Sequence, residues 1–284
     1  MKIKIACDSS ADLTKELYEK NNISVIPFPV MMGEKEYKDG VDLSASMIFD
    51  FVKENKTLPK TAAINQAEYE EFFKEVKKGY DAVVYFSLSS GLSSSCDHAK
   101  LAAKEVGDVF VIDSKSLSTG IGVQILYACE LRDKGLSAEE IVEKVKARRE
   151  AVQASFITFK LDYLHKGGRC SSLTLLGANL LKIRPSIILS NGKMQMHKKY
   201  MGRPEKVNME YLKDTISEFN TPDNKRCFIT YSSISPEMLE MFKNFVKENT
   251  KFNEVIETTA SATITAHCGE NTIGLLYYND GGAK

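Results

Sequence analysis

Strand-like and helix-like segments alternate along the first half of the chain, and this alternation restricts the fold more than any other feature. Apolar, β-rich stretches at residues 2–6, 24–32, 82–87 and 109–113 are separated by helix patterns near 12–20, 44–52, 68–78, 120–134 and 137–149. Asp42-Leu43-Ser44 and Asn65 read as caps for two of these helices. Such a pattern implies right-handed βαβ crossovers and a mainly parallel sheet. Pro27 and Pro29 limit ladder bonding in the second stretch and place it at an edge or a strand end. In a sheet of this kind the ligand crevice lies outside the carboxyl ends of the strands. Three hydroxyl-rich turns fall there: Asp8-Ser9-Ser10, residues 87–95 and Asp113-Ser114-Lys115-Ser116.

The second of these turns concentrates six serines and a glycine where a strand meets a helix pattern. Helix N-termini carry unpaired N–H groups and the positive end of the helix dipole, so a carboxylate or phosphate is stabilised there. An ordinary Ser-rich cap and turn without a ligand fits the same residues. The second half of the chain follows another pattern. A strand near 155–159, a short helical stretch at 161–165 and an apolar segment at 173–181 lead to a hairpin, with 185–190 and 193–199 flanking the Asn191-Gly192 turn. Helices at 205–218 and 236–249, with strands at 227–231, 255–259 and 272–278, complete an α+β unit. The expected division is an N-terminal α/β domain over 1–153 and a C-terminal α+β domain over 154–284.

Whole-chain quantities exclude several classes of function. The 284 residues carry 38 Lys and Arg against 38 Asp and Glu, so no basic field draws the chain to nucleic acid or to an anionic membrane. Met1-Lys2-Ile3-Lys4-Ile5 leads directly into a strand pattern without an h-region, and no apolar run approaches membrane-spanning length, so a cytoplasmic, soluble protein is expected. Six dispersed cysteines with no Cys-x-x-Cys pair read as reduced thiols, and four histidines without ligand spacing give no metal site. Gly120-Ile121-Gly122 lacks the third glycine of a dinucleotide loop because Ile125 stands there, and no Gly-x-x-x-x-Gly-Lys loop occurs, so no cofactor is expected. Ser90-Gly91-Leu92-Ser93-Ser94 lacks the second glycine of a nucleophile elbow.

Five segments, in order, resemble the DegV family of fatty-acid-binding proteins. They are Asp8-Ser9-Ser10-Ala11-Asp12-Leu13, Ser89-Ser90-Gly91-Leu92-Ser93, Val111-Ile112-Asp113-Ser114-Lys115, residues 161–169 ending in Lys166-Gly167-Gly168-Arg169, and His267-Cys268-Gly269. The resemblance spans essentially the full length. It implies a two-domain α/β protein that encloses one long-chain fatty acid between its domains. It also implies that the carboxyl group is presented to a separate ATP-dependent fatty acid kinase, giving an acyl phosphate for phospholipid synthesis. By the same resemblance the carboxylate-binding residues are Thr61, Ser93 and His267, and Arg169 serves kinase docking or site support. Two hydroxyls and an imidazole suit a carboxylate as hydrogen-bond donors.

The chain departs from the family pattern at identifiable places. Ala62 replaces a serine after Thr61, Ser94-Ser95-Cys96 replaces Gly-Thr-Tyr, and Glu270-Asn271 follows His267-Cys268-Gly269 in place of Pro-Gly. Met201-Gly202 stands where Arg-Gly is expected, with Arg203 two positions on, which bears on the kinase partner. Apolar material for a tunnel is present in Ile26, Phe28, Val30 and Met31 and in Leu161, Leu164, Leu173, Leu176, Leu180, Ile187 and Leu189, although interdomain core has the same pattern. A different class of function stays open: an enzyme using Ser93 with His267 on a small carboxylate, phosphate or ester substrate.

Overall fold

Two strands in which every residue is buried, β1 (Ile3–Asp8) and β6 (Ala82–Ser87), lie at the centre of a four-stranded sheet. Their near-continuous apolar sequence is what a parallel strand covered on both faces requires. The structure, a computed structural model, describes residues 1–172 and 183–282. The first half runs β1, α1 (Lys15–Lys20), β2 (Ile23–Ile26), β3 (Pro29–Met32), β4 (Lys35–Lys38), α2 (Ala45–Asn55), β5 (Lys60–Thr61), α3 (Gln66–Val76), β6, α4 (Ser95–Val106), β7 (Val109–Asp113), α5 (Thr119–Asp133) and α6 (Ala138–Arg148). The second half runs β8 (Val152–Ile157), α7 (Leu161–Gly167), β9 (Arg184–Ser190), β10 (Lys193–Tyr200), α8 (Pro204–Glu218), β11 (Arg226–Tyr231), α9 (Pro236–Asn249), β12 (Glu254–Thr259), α10 (Ala262–Cys268) and β13 (Ile273–Tyr278).

The molecule is a mixed α/β protein. β2, β1, β6 and β7 form the first sheet in that order, all parallel. A six-stranded sheet has the order β10-β9-β8-β13-β11-β12, antiparallel except for β11 with β12. A third, small sheet has the antiparallel order β4-β3-β5. Helix α5 is buried around most of its circumference and contacts β1 and β6 on one side and β8, β11 and β13 on the other. A helix apolar on all faces belongs inside a core, and one continuous hydrophobic cluster runs from Ile5 and Phe86 through Ile121 to Phe156 and Leu276. Gly120 and Gly122 permit this close packing. A Cβ on Gly122 would lie 2.8 Å from Leu13 Cδ2, and one on Gly120 would meet Ser116 Oγ.

Several local expectations are corrected. The helix pattern at 12–20 is interrupted, because Ser9–Ala11 forms a single 3-10 turn, Asp12 is left-handed at φ 53°, and Thr14 then caps the shorter α1. The stretch 24–32 divides into β2 and β3, which belong to different sheets. Pro27 has no ladder N–H to give, and the next N–H, of Phe28, donates to Ser9 Oγ at 3.0 Å. The Asn191-Gly192 turn has φ of 49° and 75°, the left-handed pair of a type I′ hairpin. The apolar segment expected at 173–181, with Leu173, Leu176 and Leu180, lies outside the described residues. Among the described residues no helix is long and apolar enough to cross a membrane, and the six cysteines are buried and form no disulfide with one another.

Candidate functional site

The three hydroxyl-rich turns do meet at the carboxyl end of the parallel sheet, but the protein's own carboxylates occupy much of the corner. Asp8 accepts from the N–H of Leu88 at 2.7 Å and of Ser10 at 3.1 Å. Asp113 accepts from the N–H and hydroxyl of Ser90 and from Lys115 Nζ at 2.9 Å. Donors that could have cradled an external anion are therefore used internally. Ser89 Oγ donates to Gly192 O at 2.7 Å, so the hairpin turn of the second half docks on the same loop.

Helix α10 is, with the short strands β4 and β5, among the elements that sequence reasoning missed. Thr263, Ile264 and Thr265 are β-branched, which hides a seven-residue helix from propensity. Tertiary contacts cap it instead. Asp12 Oδ1 accepts the Ser261 N–H at 2.9 Å, and Asp39 takes the N–H groups of Ala262 and Thr263 at 2.9 and 3.1 Å. Ser261 Oγ accepts from Ile264 N–H at 3.3 Å, and this cap residue is the one sequence signal that could have marked the helix. Burial pushes the Asp12 carboxyl up to about 7 against the opposing hydrogen bonds of Ser118 and Ser261, and raises Asp39 as well. His267 stands at the far end of α10.

There the imidazole Nε2 lies 2.9 Å from Thr61 Oγ1, on β5, whose pairing with Val30 fixes its position. Ser93 stands on the loop before α4; its Oγ donates to Ser95 Oγ at 3.0 Å and accepts the Ser95 N–H at 3.2 Å. Thr61, Ser93, His267 and Arg169 all line one cavity of about 330 Å³, within the usual range for ligand pockets. Its apolar wall includes Phe28, Leu92, Phe156, Leu164, Met194 and Leu276, drawn from both halves of the chain. Of the tunnel candidates read from the sequence, Phe28 and Leu164 line this space, whereas Ile26, Leu161 and Ile187 belong to the surrounding core.

Electrostatics at the site are modest. Burial, with the nearby Arg169 guanidinium, pulls the His267 imidazole down to about 4, so the ring is neutral at pH 7. Arg169 is exposed and donates to Gly167 O at 2.6 Å. His267 Nδ1 has no hydrogen-bond partner and Ser93 does not bond to the ring, so the base–orienter and base–nucleophile bonds of a hydrolytic triad are both missing from the described contacts. Ala62 and Ser94 line the cavity, whereas Cys96 is buried within α4 and Met201 is an exposed side chain after β10. Glu270 is 3.9 Å from Lys160 and is not among the lining residues.

Comparison with known proteins places this geometry in context. A family model described as "Uncharacterised protein, DegV family" matches residues 2–280. A DegV domain-containing protein of Staphylococcus aureus is 32% identical over 274 residues, covering 96% of this chain and 97% of its own length. A DegV family protein from Thermus thermophilus, solved for its fatty acid binding, superposes with a TM-score of 0.90 at 25% identity over 99% of this chain and 100% of that one. A stearic acid-binding protein from Eubacterium ventriosum does so with a TM-score of 0.87 at 27% identity over 98% of each chain.

Proposed function

The chain belongs to the DegV family, and from that premise we propose that it binds one long-chain fatty acid in the cavity lined by both halves of the molecule. Thr61, Ser93 and His267 hold the carboxylate, and the alkyl chain lies along the apolar wall. The supporting observation is the convergence of two hydroxyls and an imidazole from three separate elements on one largely apolar cavity. Removing each methylene from water is worth about 0.8 kcal/mol, so a sixteen-carbon chain offers on the order of 10 kcal/mol before association costs are subtracted. Release into water would be slow, which suits a carrier better than a free-standing enzyme.

In this reading the protein works in the cytoplasm as the non-catalytic acyl-donor subunit of an ATP-dependent fatty acid kinase. Arg169 serves docking or steadies the head group, and the units 1–153 and 154–284 enclose the lipid. Met201, in place of arginine, and Glu270 distinguish its docking face from the family pattern. Organic extraction of freshly purified protein followed by mass spectrometry is expected to recover near-stoichiometric fatty acid; repeated recovery of none would overturn the carrier reading. Replacing Thr61→Ala together with Ser93→Ala removes two donors to a charged group and is expected to weaken fatty acid binding by roughly 10- to 100-fold with the fold retained. Equal affinity in a direct binding titration would remove the site assignment. Acyl phosphate formed by a fatty acid kinase only when this protein is supplied would support presentation; equal formation without it would end that part of the proposal.

A further inference from the structure

One ring nitrogen of His267 is sealed against glycine. Nδ1 is buried without a hydrogen-bond partner, and a Cβ added at Gly167, the last residue of α7, would lie 2.5 Å from Nδ1 and 3.3 Å from Cε1. The other nitrogen, Nε2, is bonded to Thr61 Oγ1 at 2.9 Å. A neutral imidazole carries its proton on one nitrogen only, and an imidazolium carries one on each. A proton on Nδ1 would therefore be an N–H facing the Gly167 Cα with no acceptor. Buried N–H groups without acceptors are rarer than acceptors left unmet.

Resting on the fatty acid reading above for its ligand, we propose that Gly167 is a positioning residue that keeps His267 as the neutral Nε2–H tautomer, free or loaded. The clamp then has a single polarity: the His267 Nε2–H donates to Thr61 Oγ1 in the free protein and is shared with the ligand head on loading, to which the Thr61 hydroxyl also donates. Such a clamp selects a head group that accepts hydrogen bonds. The charged groups around the ring agree with this. Arg169, bonded to Gly167 O, is a cation and opposes protonation of the ring. Glu270 lies near Lys160, across from Tyr163 on α7, and Cys268 is a buried thiol. No described carboxylate bonds to either ring nitrogen. The depressed imidazole, near 4 instead of 6.5, follows from the same burial.

The test is two-bond proton–nitrogen correlation on 15N-histidine-labelled native protein between pH 5 and 8, with and without palmitate. The expected result is an Nε2–H pattern for His267 that neither titrates over this range nor changes to imidazolium on loading. An Nδ1–H pattern, or an imidazolium at pH 6 or with palmitate bound, would overturn the proposal. In Gly167→Ala the crowded ring is expected to shift its nitrogen signals and palmitate affinity to fall at least tenfold, while an unchanged pattern with unchanged affinity would overturn the positioning role. The native unloaded spectrum stands whether or not Gly167→Ala folds. If the native protein takes up no palmitate, the carrier reading fails, and the tautomer is still decided by that spectrum.

Discussion

Asp12 ties two distant parts of the chain to its own segment with one carboxyl group. Its Oδ2 accepts from Ser118 Oγ at 2.6 Å and its Oδ1 from the Ser261 N–H, in a place where burial holds its proton up to pH about 7. The ordinary carboxyl value is 3.8, so between those values folding takes up a proton. The folded state is thus favoured below 3.8, and that advantage is lost as pH rises through 7. His267 acts in the opposite sense, because its imidazole is depressed and the unfolded chain binds a proton first as pH falls below 6.5. Asp12→Asn is expected to remove the first contribution, so its thermal midpoint should fall relative to the native protein on going from pH 7.5 to 5. Parallel midpoint-against-pH curves for the two proteins would show that Asp12 does not titrate in this window.

At the scale of elements, α10 explains how residues 206 positions apart become partners. Its sequence has weak intrinsic helicity, and its first N–H groups are satisfied by carboxylates from the other half of the chain. The helix is therefore as much a product of Asp39 as of its own residues. Asp39→Ala leaves two backbone donors and the Ser9 hydroxyl without their acceptor, a cost of about 3 kcal/mol. The expected outcome is a loss of that order in denaturant unfolding together with weakened fatty acid binding, since His267 rides on the same helix. A stability change below about 0.5 kcal/mol would show that α10 holds itself. The hairpin β9–β10 shows the contrasting case, for Asn191-Gly192 specifies its own turn locally.

Over the whole molecule, α5 and the cluster around it link the two large sheets into one core, while a second cluster lies between the six-stranded sheet and α8 and α9. Because the cavity wall is assembled from both halves, calorimetry of the ligand-free protein is expected to give one cooperative transition; two separated transitions would mean that the halves fold independently. The sequence alone determined the alternating βαβ first half, the hairpin of the second, the hydroxyl-rich turns at the parallel sheet's carboxyl end and the motifs that carry family membership. Each of these depends on neighbours within a few residues, through side-chain period, cap chemistry or turn conformation. Only the tertiary structure decided that 24–32 serves two sheets, that Asp8 and Asp113 fill the corner an anion could have used, and that β-branched residues after Ser261 form a helix. It also decided which apolar side chains face the cavity and which nitrogen of His267 meets Thr61. Those outcomes depend on contacts between residues distant in sequence, where burial and hydrogen-bond satisfaction outweigh local preference.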